Sequence, residues 1–307
     1  MKTLNYSIVL SMVIAMPING ATCSCASVPL ANNLQSGSVE ANRLVYALSF
    51  ERHRMNDLVS GRKEVNDETG RRRASGALLL ELGYGIDSNW SISILTNYIE
   101  HSRQIGLSGD VEQTSSGMGD SLVLVKYVPQ SISVFNRYEY GVGLGAKIGT
   151  GTNDKMTRLG VRHSEDMQPG SGAHGGVIWG YYGLAFSREA ANTIHLSFNA
   201  SFNQDNGYDY KIGDDMSLGL AWQSLINEDW RASLGLNWRE SAADERLGVK
   251  LPNTGGAWLD VKPSIQYRVS DNFALRLGYT QPLSRDLNGA LQFTTSQAWS
   301  IGVVGRF

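Results

Sequence analysis

Twelve segments between residue 44 and the end of the chain alternate apolar with small or polar residues, and no other feature restricts the possible folds so tightly. The last segment shows the pattern. Trp299, Ile301, Val303 and Phe307 share one parity, and Ser300, Gly302, Val304 and Arg306 share the other. Successive side chains of an extended strand point to opposite faces, so each such segment predicts a strand with one apolar and one polar face. The same parity recurs over Leu44–Phe50, Leu78–Tyr84, Trp90–Tyr98, a stretch near 119–128, Tyr138–Ile148, Ile194–Phe202, Met216–Trp222, Trp230–Trp238, Leu259–Tyr267 and Phe273–Tyr279. A further segment near 174–186 carries aromatics on both parities, and its orientation stays open.

The connections alternate in length. Those near 86–89, 129–136, 187–192, 226–229 and 269–272 are short, whereas those near 51–72, 102–118, 150–173, 206–213, 242–256 and 286–293 are mostly longer and more polar. Short turns at one end and long loops at the other describe a transmembrane, antiparallel up-and-down β-barrel of about 12 strands. An even strand number puts both termini on the periplasmic side. A large soluble β-sandwich is the competing fold. It would have to solvate Lys126, Lys147, Arg231, Arg239, Lys262 and Arg276, all on the face opposite the apolar one.

Aromatic positions agree with the barrel. Tyr84, Trp90, Tyr127, Tyr138, Trp230, Tyr267, Phe273 and Phe307 lie beside short turns or at the closing end, where an interface girdle is expected. A terminal Phe307 also resembles the signal that barrel-assembly machinery reads on the closing strand.

Residues 1–26 read as a cleaved secretory signal peptide: Lys2, an apolar run from Ile8 to Met16, breaks at Pro17 and Gly20, and a small-x-small site at Ser24-Cys25-Ala26. That run is about half of the roughly 20 residues a spanning helix needs. The expected organisation is therefore signal peptide 1–26, a flexible periplasmic arm 27–40 and an outer-membrane barrel 41–307, in a Gram-negative bacterium. Cys23 and Cys25 are the only cysteines, and both sit at the processing junction. Lipidation and metal capture are the functional alternatives to removal with the leader, but the lipobox is poor and two thiolates do not complete a zinc site. With a net charge of −2, the chain offers no reason to expect nucleic acid as a partner.

If the apolar parity faces lipid, the lumen is lined by Glu81, Lys126, Glu139, Lys147, His195, Arg231, Arg239, Asp260, Lys262, Gln266, Arg276 and Arg306. That set describes either a narrow, modestly cationic conduit for small anionic or polar solutes, or a lumen closed by its own ion pairs. Passage needs no cofactor, and the expected partners are outer-membrane lipid, lipopolysaccharide and a small solute, with the protein a monomer. Loops 102–118 and 150–173 are candidates to fold inward and narrow the mouth.

Three Gly-rich stretches carry a family resemblance. Gly117-Met118-Gly119-Asp120, continuing to Tyr127, resembles the Gly-x-Gly-Asp strand of outer-membrane transporters grouped as the "MetA-pathway of phenol degradation" family. Lys147-Ile148-Gly149-Thr150-Gly151 is similar to that family's K-x-P-T-G, with Gly149 in place of Pro, and Gln168-Pro169-Gly170-Ser171-Gly172 is similar to its Q-P-G-x-G loop. His174 stands where an aromatic often follows. The order and spacing match over roughly 117–175. The resemblance implies a barrel that passes or binds small, in some members aromatic, molecules, and it carries over no binding residues.

Two other functional classes compete. Outer-membrane phospholipase is also a twelve-strand barrel, and His101-Ser102 and His163-Ser164 place histidine beside serine near outer loops. Adjacent strand residues point opposite ways, so neither pair makes a nucleophile–base contact by itself. A closed barrel that displays its loops is the third class. Lys155, Arg158, Arg162 and His163 would there offer a basic patch to lipopolysaccharide phosphates.

Overall fold

The computed structural model describes residues 39–307 except 107–110, 134 and 187–190. The expected leader, both cysteines and most of the periplasmic arm lie outside the described residues.

Twelve antiparallel staves form the wall: β1 (Leu44–Arg54), β2 (Arg72–Gly85), β3 (Trp90–Ile105), β4 (Ser121–Gln130), β5 (Tyr138–Ile148), β6 (Gly175–Ala185), β7 (Asn192–Asn203), β8 (Asp215–Leu225), β9 (Trp230–Ser241), β10 (Gly256–Ser270), β11 (Phe273–Leu287) and β12 (Gln297–Arg306). Each pairs with its chain neighbours, and β1 pairs with both β2 and β12, from Val45↔Arg306 to Arg54↔Gln297. The sheet thus closes on itself, as lipid requires, because hydrocarbon cannot hydrogen-bond an exposed edge. Phe307 finishes the seam. Its N–H donates to the Leu44 carbonyl at 2.8 Å, and its ring stacks on Tyr46 with centroids 5.4 Å apart.

The apolar parity faces outward. Val142, Leu144 and Leu220 are 60%, 69% and 45% exposed at mid-strand, a belt that water would penalise and lipid accepts. At the short-turn end Trp90 packs on Tyr127 and Trp230 on Tyr267, each pair with centroids 4.7 Å apart. A second group of rings, including Phe50, Tyr98, Tyr279 and Trp299, lies toward the long-loop ends of the same face. Phe50 and Trp299 have centroids 5.5 Å apart.

Two expectations need correction. The stretch 102–118 is not an inward loop: β3 runs to Ile105, and Val111–Met118 pairs back along it from Val111 to Met118, raising the wall. That piece belongs to the same stave as β4, since both pair with β3 and only Gly119-Asp120 interrupts them. The segment gave no strand signal because both of its parities are mostly polar, with Glu112, Thr114 and Ser116 on one and Gln113 and Ser115 on the other. The lumen, too, is not uniformly polar. Ala77, Leu79, Leu95, Ile99, Leu122 and Val177 form a buried cluster on the inner parity of β2–β6, and Leu124, Trp179 and Tyr181 form a second on the same parity. This also orients β6, whose Trp179 and Tyr181 point inward while Ile178 and Tyr182 face lipid.

Outside the wall, the long loops form two small three-stranded sheets. One joins Asp57–Ser60, Lys63–Val65 and Gln292–Thr294, and the other joins Tyr210–Lys211, Glu245–Arg246 and Val249–Lys250.

The two faces predict opposite tolerances. Leu220→Arg, on the lipid face at mid-strand, should cost about 2–4 kcal/mol of folding free energy in urea titrations in lipid vesicles. Gln223→Arg, on the inner parity of the same strand, should cost under about 1 kcal/mol. Equal costs would contradict the assigned faces.

Candidate functional site

The site is the lumen and the loop that folds into it. After β5 the chain turns inward at Gly149, runs to His174 and lies against the inner face of β2–β5. The Gly119-Asp120 interruption of the fourth stave anchors it. The Asp120 carboxylate accepts from the N–H groups of Gly151 at 3.1 Å, Ser171 at 3.0 Å and Gly172 at 3.2 Å, and from the Ser171 hydroxyl at 2.5 Å. Both ends of the loop therefore converge on one buried carboxylate. The glycines allow the approach: Gly151 and Gly170 meet backbone to backbone, and a Cβ on Gly170 would overlap the Gly151 Cα. Thr152 continues the arrangement, its N–H donating to Met118 at 2.8 Å and its carbonyl accepting from Gly170 at 3.0 Å. The three motif stretches of the sequence meet here.

Gln168 ties the middle of the loop together. Its side chain accepts from the Lys155 N–H at 3.0 Å and donates to the carbonyls of Lys155 and His163 at 3.2 and 3.1 Å. Beyond it, the short 3₁₀ turn Glu165–Met167 carries the latch. Asp166 accepts from Arg73 of β2 at 2.8 Å and from Arg103 of β3 at 3.2 Å. Met167 is fully buried. Burial pushes the Asp166 carboxyl up, but Arg73 and Arg103 outweigh it and hold the group below the usual carboxylate range.

The histidines settle into structure. His101 Nδ1 lies 2.7 Å from the Ser75 hydroxyl and Nε2 lies 3.3 Å from the Gln168 carbonyl, with Ser75 and His101 both buried under the loop. Neither nitrogen faces Ser102. His163 is buried, and Arg162 is bonded to Glu165 at 2.5 Å and covers the Tyr208 ring at 3.7 Å. The basic loop patch is thus reduced, with Arg162 and His163 turned into the loop.

The lumen residues expected from the sequence divide into two walls. On the filled side, Lys126 pairs with Glu81 at 3.6 Å and covers Trp179 at 5.1 Å. Trp179 stacks on Tyr181, and Tyr181 on His195, with centroids 6.0 and 5.7 Å apart. The Tyr181 hydroxyl lies 2.5 Å from His195 Nδ1 and also meets Glu139. Lys147 donates to Asn203 at 2.5 Å and Ser171 at 3.3 Å, so it supports the loop.

On the other side, β8–β12 and β1 present small residues: Gly219 and Ala221, Ser233 and Gly235, Ser264, Gly278, Ser300 and Gly302, Ala47 and Ser49, all touching solvent. Among them stand Arg231, Lys262 and Arg276. Asp260 lies nearby, and Arg239 covers the Trp258 ring at 4.3 Å. Arg306 is at the rim, 3.8 Å from Glu40. Among the described residues no group of three potential metal ligands is present. The anchors Asp120, Asp166, Arg73 and Arg103 were not among the expected site residues. The Gly-x-Gly-Asp motif was the signal that pointed to Asp120.

The sequence matches no protein-family model and no curated protein. Among solved structures, the barrel is similar to the COG4313 outer membrane channel from Pseudomonas putida F1, with a TM-score of 0.69 and 10% identity over 89% of this chain and 100% of that one. Looser likeness extends to a KdgM porin (TM-score 0.45, 10% identity, 85% and 99% covered) and to the NanC porin (0.47, 10%, 85% and 98%). At 10% identity the first of these likenesses shows the fold.

Two outcomes follow for the loop. Asp120→Ala removes a charged acceptor of four hydrogen bonds, each worth about 1.5–3 kcal/mol when a charged group is involved. Trypsin should then cut at Lys155, Arg158 or Arg162 at least tenfold faster than in the parent protein. For Asp166 the lowered value means its contribution is present above the unfolded value of about 3.9 and is lost as pH falls through the lower folded value. The latch should hold from neutral pH to about 5 and loosen only below about 4, read as loop amide exchange. Loosening between pH 7 and 5 would exclude the carboxylate as its basis.

Proposed function

We propose that the protein is a monomeric outer-membrane channel for passive passage of small polar solutes. The observation that carries this reading is the unequal filling of the lumen. Side chains and the inward loop occupy the β2–β6 half, whereas small residues that touch solvent line the β8–β12 half. A barrel built only to display loops would gain from filling both halves. The description of the Pseudomonas putida protein as an outer membrane channel supports the same reading. The convergence of all three motifs on Asp120 supports membership of the phenol-degradation transporter group.

Passage of this kind uses no cofactor. Lumen charges select the solute, and the loop limits its size. The aromatic ends of the outer face would sit at headgroup level, with lipopolysaccharide around the outer loops and barrel-assembly machinery delivering the chain. The buried, fully engaged His101–Ser75 contact argues against a hydrolase, since no ester could reach that hydroxyl.

Purified protein in a planar bilayer should give stable single-channel steps, and Asp120→Ala should raise their size or frequency at least twofold by freeing the loop. A correctly folded barrel that stays silent in both forms would sink the channel reading.

A further inference from the structure

Resting on the channel reading, we propose that Arg231, Gln266 and Arg276 form a binding site for the carboxylate of small organic acids with an apolar body, near the periplasmic end of the open lumen wall. The three residues lie in one hydrogen-bonded row across three strands, Arg231↔Gln266 between β9 and β10 and Gln266↔Arg276 between β10 and β11. Adjacent strands are about 4.8 Å apart, so the two arginine Cα atoms are separated by about 10 Å with the amide between them. That span suits two guanidinium forks closing on one carboxylate.

Electrostatics favour an anion there. Among the described residues neither Arg231 nor Arg276 has a carboxylate within ion-pair distance. Glu81 is near enough for Arg276 to feel its charge, but Lys126 already pairs with it at 3.6 Å. His195 lies near Arg231 and is held by Tyr181 and Thr193. Both arginines touch solvent, although they face the inside of the barrel. Two like charges held close with no carboxylate between them repel one another, and an entering anion relieves that repulsion.

Gln266 prepares the geometry. Its Oε1 accepts from Arg276 Nη2 at 3.1 Å, which turns one guanidinium and leaves the amide N–H₂ free to donate to the ligand. Beyond Arg276 the row continues into Gly302 and Ser49, which leave room. The next row toward the periplasm on the same face runs Arg268, Ala274, Val304, Ala47 and Glu81; Arg268 is paired with Asp229 and Glu81 with Lys126, and the three between them are small apolar residues that touch solvent. A carboxylate in the row would therefore lay its apolar body on this shelf. Planar forks recognise carboxylates with two parallel hydrogen bonds, which an ammonium cannot copy.

The test uses the full protein purified from outer membranes, with benzoate, inorganic phosphate and potassium chloride as probes. In a bilayer, benzoate should block the parent channel. The double variant Arg231→Gln/Arg276→Gln should weaken that block at least tenfold and shift selectivity toward potassium. Arg276→Lys should keep chloride selectivity but lose most of the benzoate block, and Arg62→Gln, in an outer loop, should change neither. A conducting double variant with unchanged block and selectivity would overturn the site and leave the channel reading standing. Equal block by Arg276→Lys and the parent would overturn fork recognition, and stronger block by phosphate than by benzoate would overturn the apolar shelf. If the barrel is silent, calorimetric titration with benzoate in detergent decides the site alone. Binding lost in the double variant supports it, and no binding by the parent overturns it.

Discussion

Closure of the backbone hydrogen-bond ladder in a medium without water is the constraint on which the rest of this structure depends. An unpaired N–H or carbonyl in hydrocarbon costs several kcal/mol, so a strand-built wall must return to its start. Here β1 completes the ring between β2 and β12. Once closed, the pleat leaves each residue one of two environments, and the outward parity from Leu44 to Phe307 becomes apolar because lipid is what it meets. The inward parity escapes that selection and is free to carry arginines, glycines or a packed cluster.

That freedom is used unevenly. From β2 to β6 the interior resembles a soluble protein core, with Leu95, Ile99, Leu122 and Trp179 excluded from solvent beneath an inward loop. From β8 to β12 small side chains line a wetted wall. Filling one side narrows the passage without adding strands, and it gives the loop a firm surface on which to seat Met167. The solvent-touching arginines Arg231 and Arg276 stand on the wetted side, near its periplasmic end.

The loop itself is held by charge and by the absence of side chains. Asp120 collects donors from both ends of one excursion, which requires the two backbones to approach as closely as Gly151 and Gly170 do. Asp166 then fastens the middle of the loop to β2 and β3 through Arg73 and Arg103. These groups share a low-dielectric interior, so each bond is stronger than its surface equivalent, and each lone partner would be costly.

By itself the sequence determined the barrel, the strand number and which parity meets lipid, because a period of two repeated along the chain has few other solutions. It also named the lumen charges, since residues opposite an apolar face have one place to go. The partners of those charges were decided only by tertiary structure. Lys126 meets Glu81, and Lys147 meets Asn203, across distances in sequence that no local pattern encodes. The filled half was hidden for a related reason: Leu79, Leu122 and Leu124 lie on the inner parity, and an apolar residue opposite an apolar face does not say by itself that the lumen there is packed. The site residues show the same division. Arg231 and Arg276 were legible as inward-facing cations, but their common row with Gln266 depends on register across three strands, which only closure of the barrel sets.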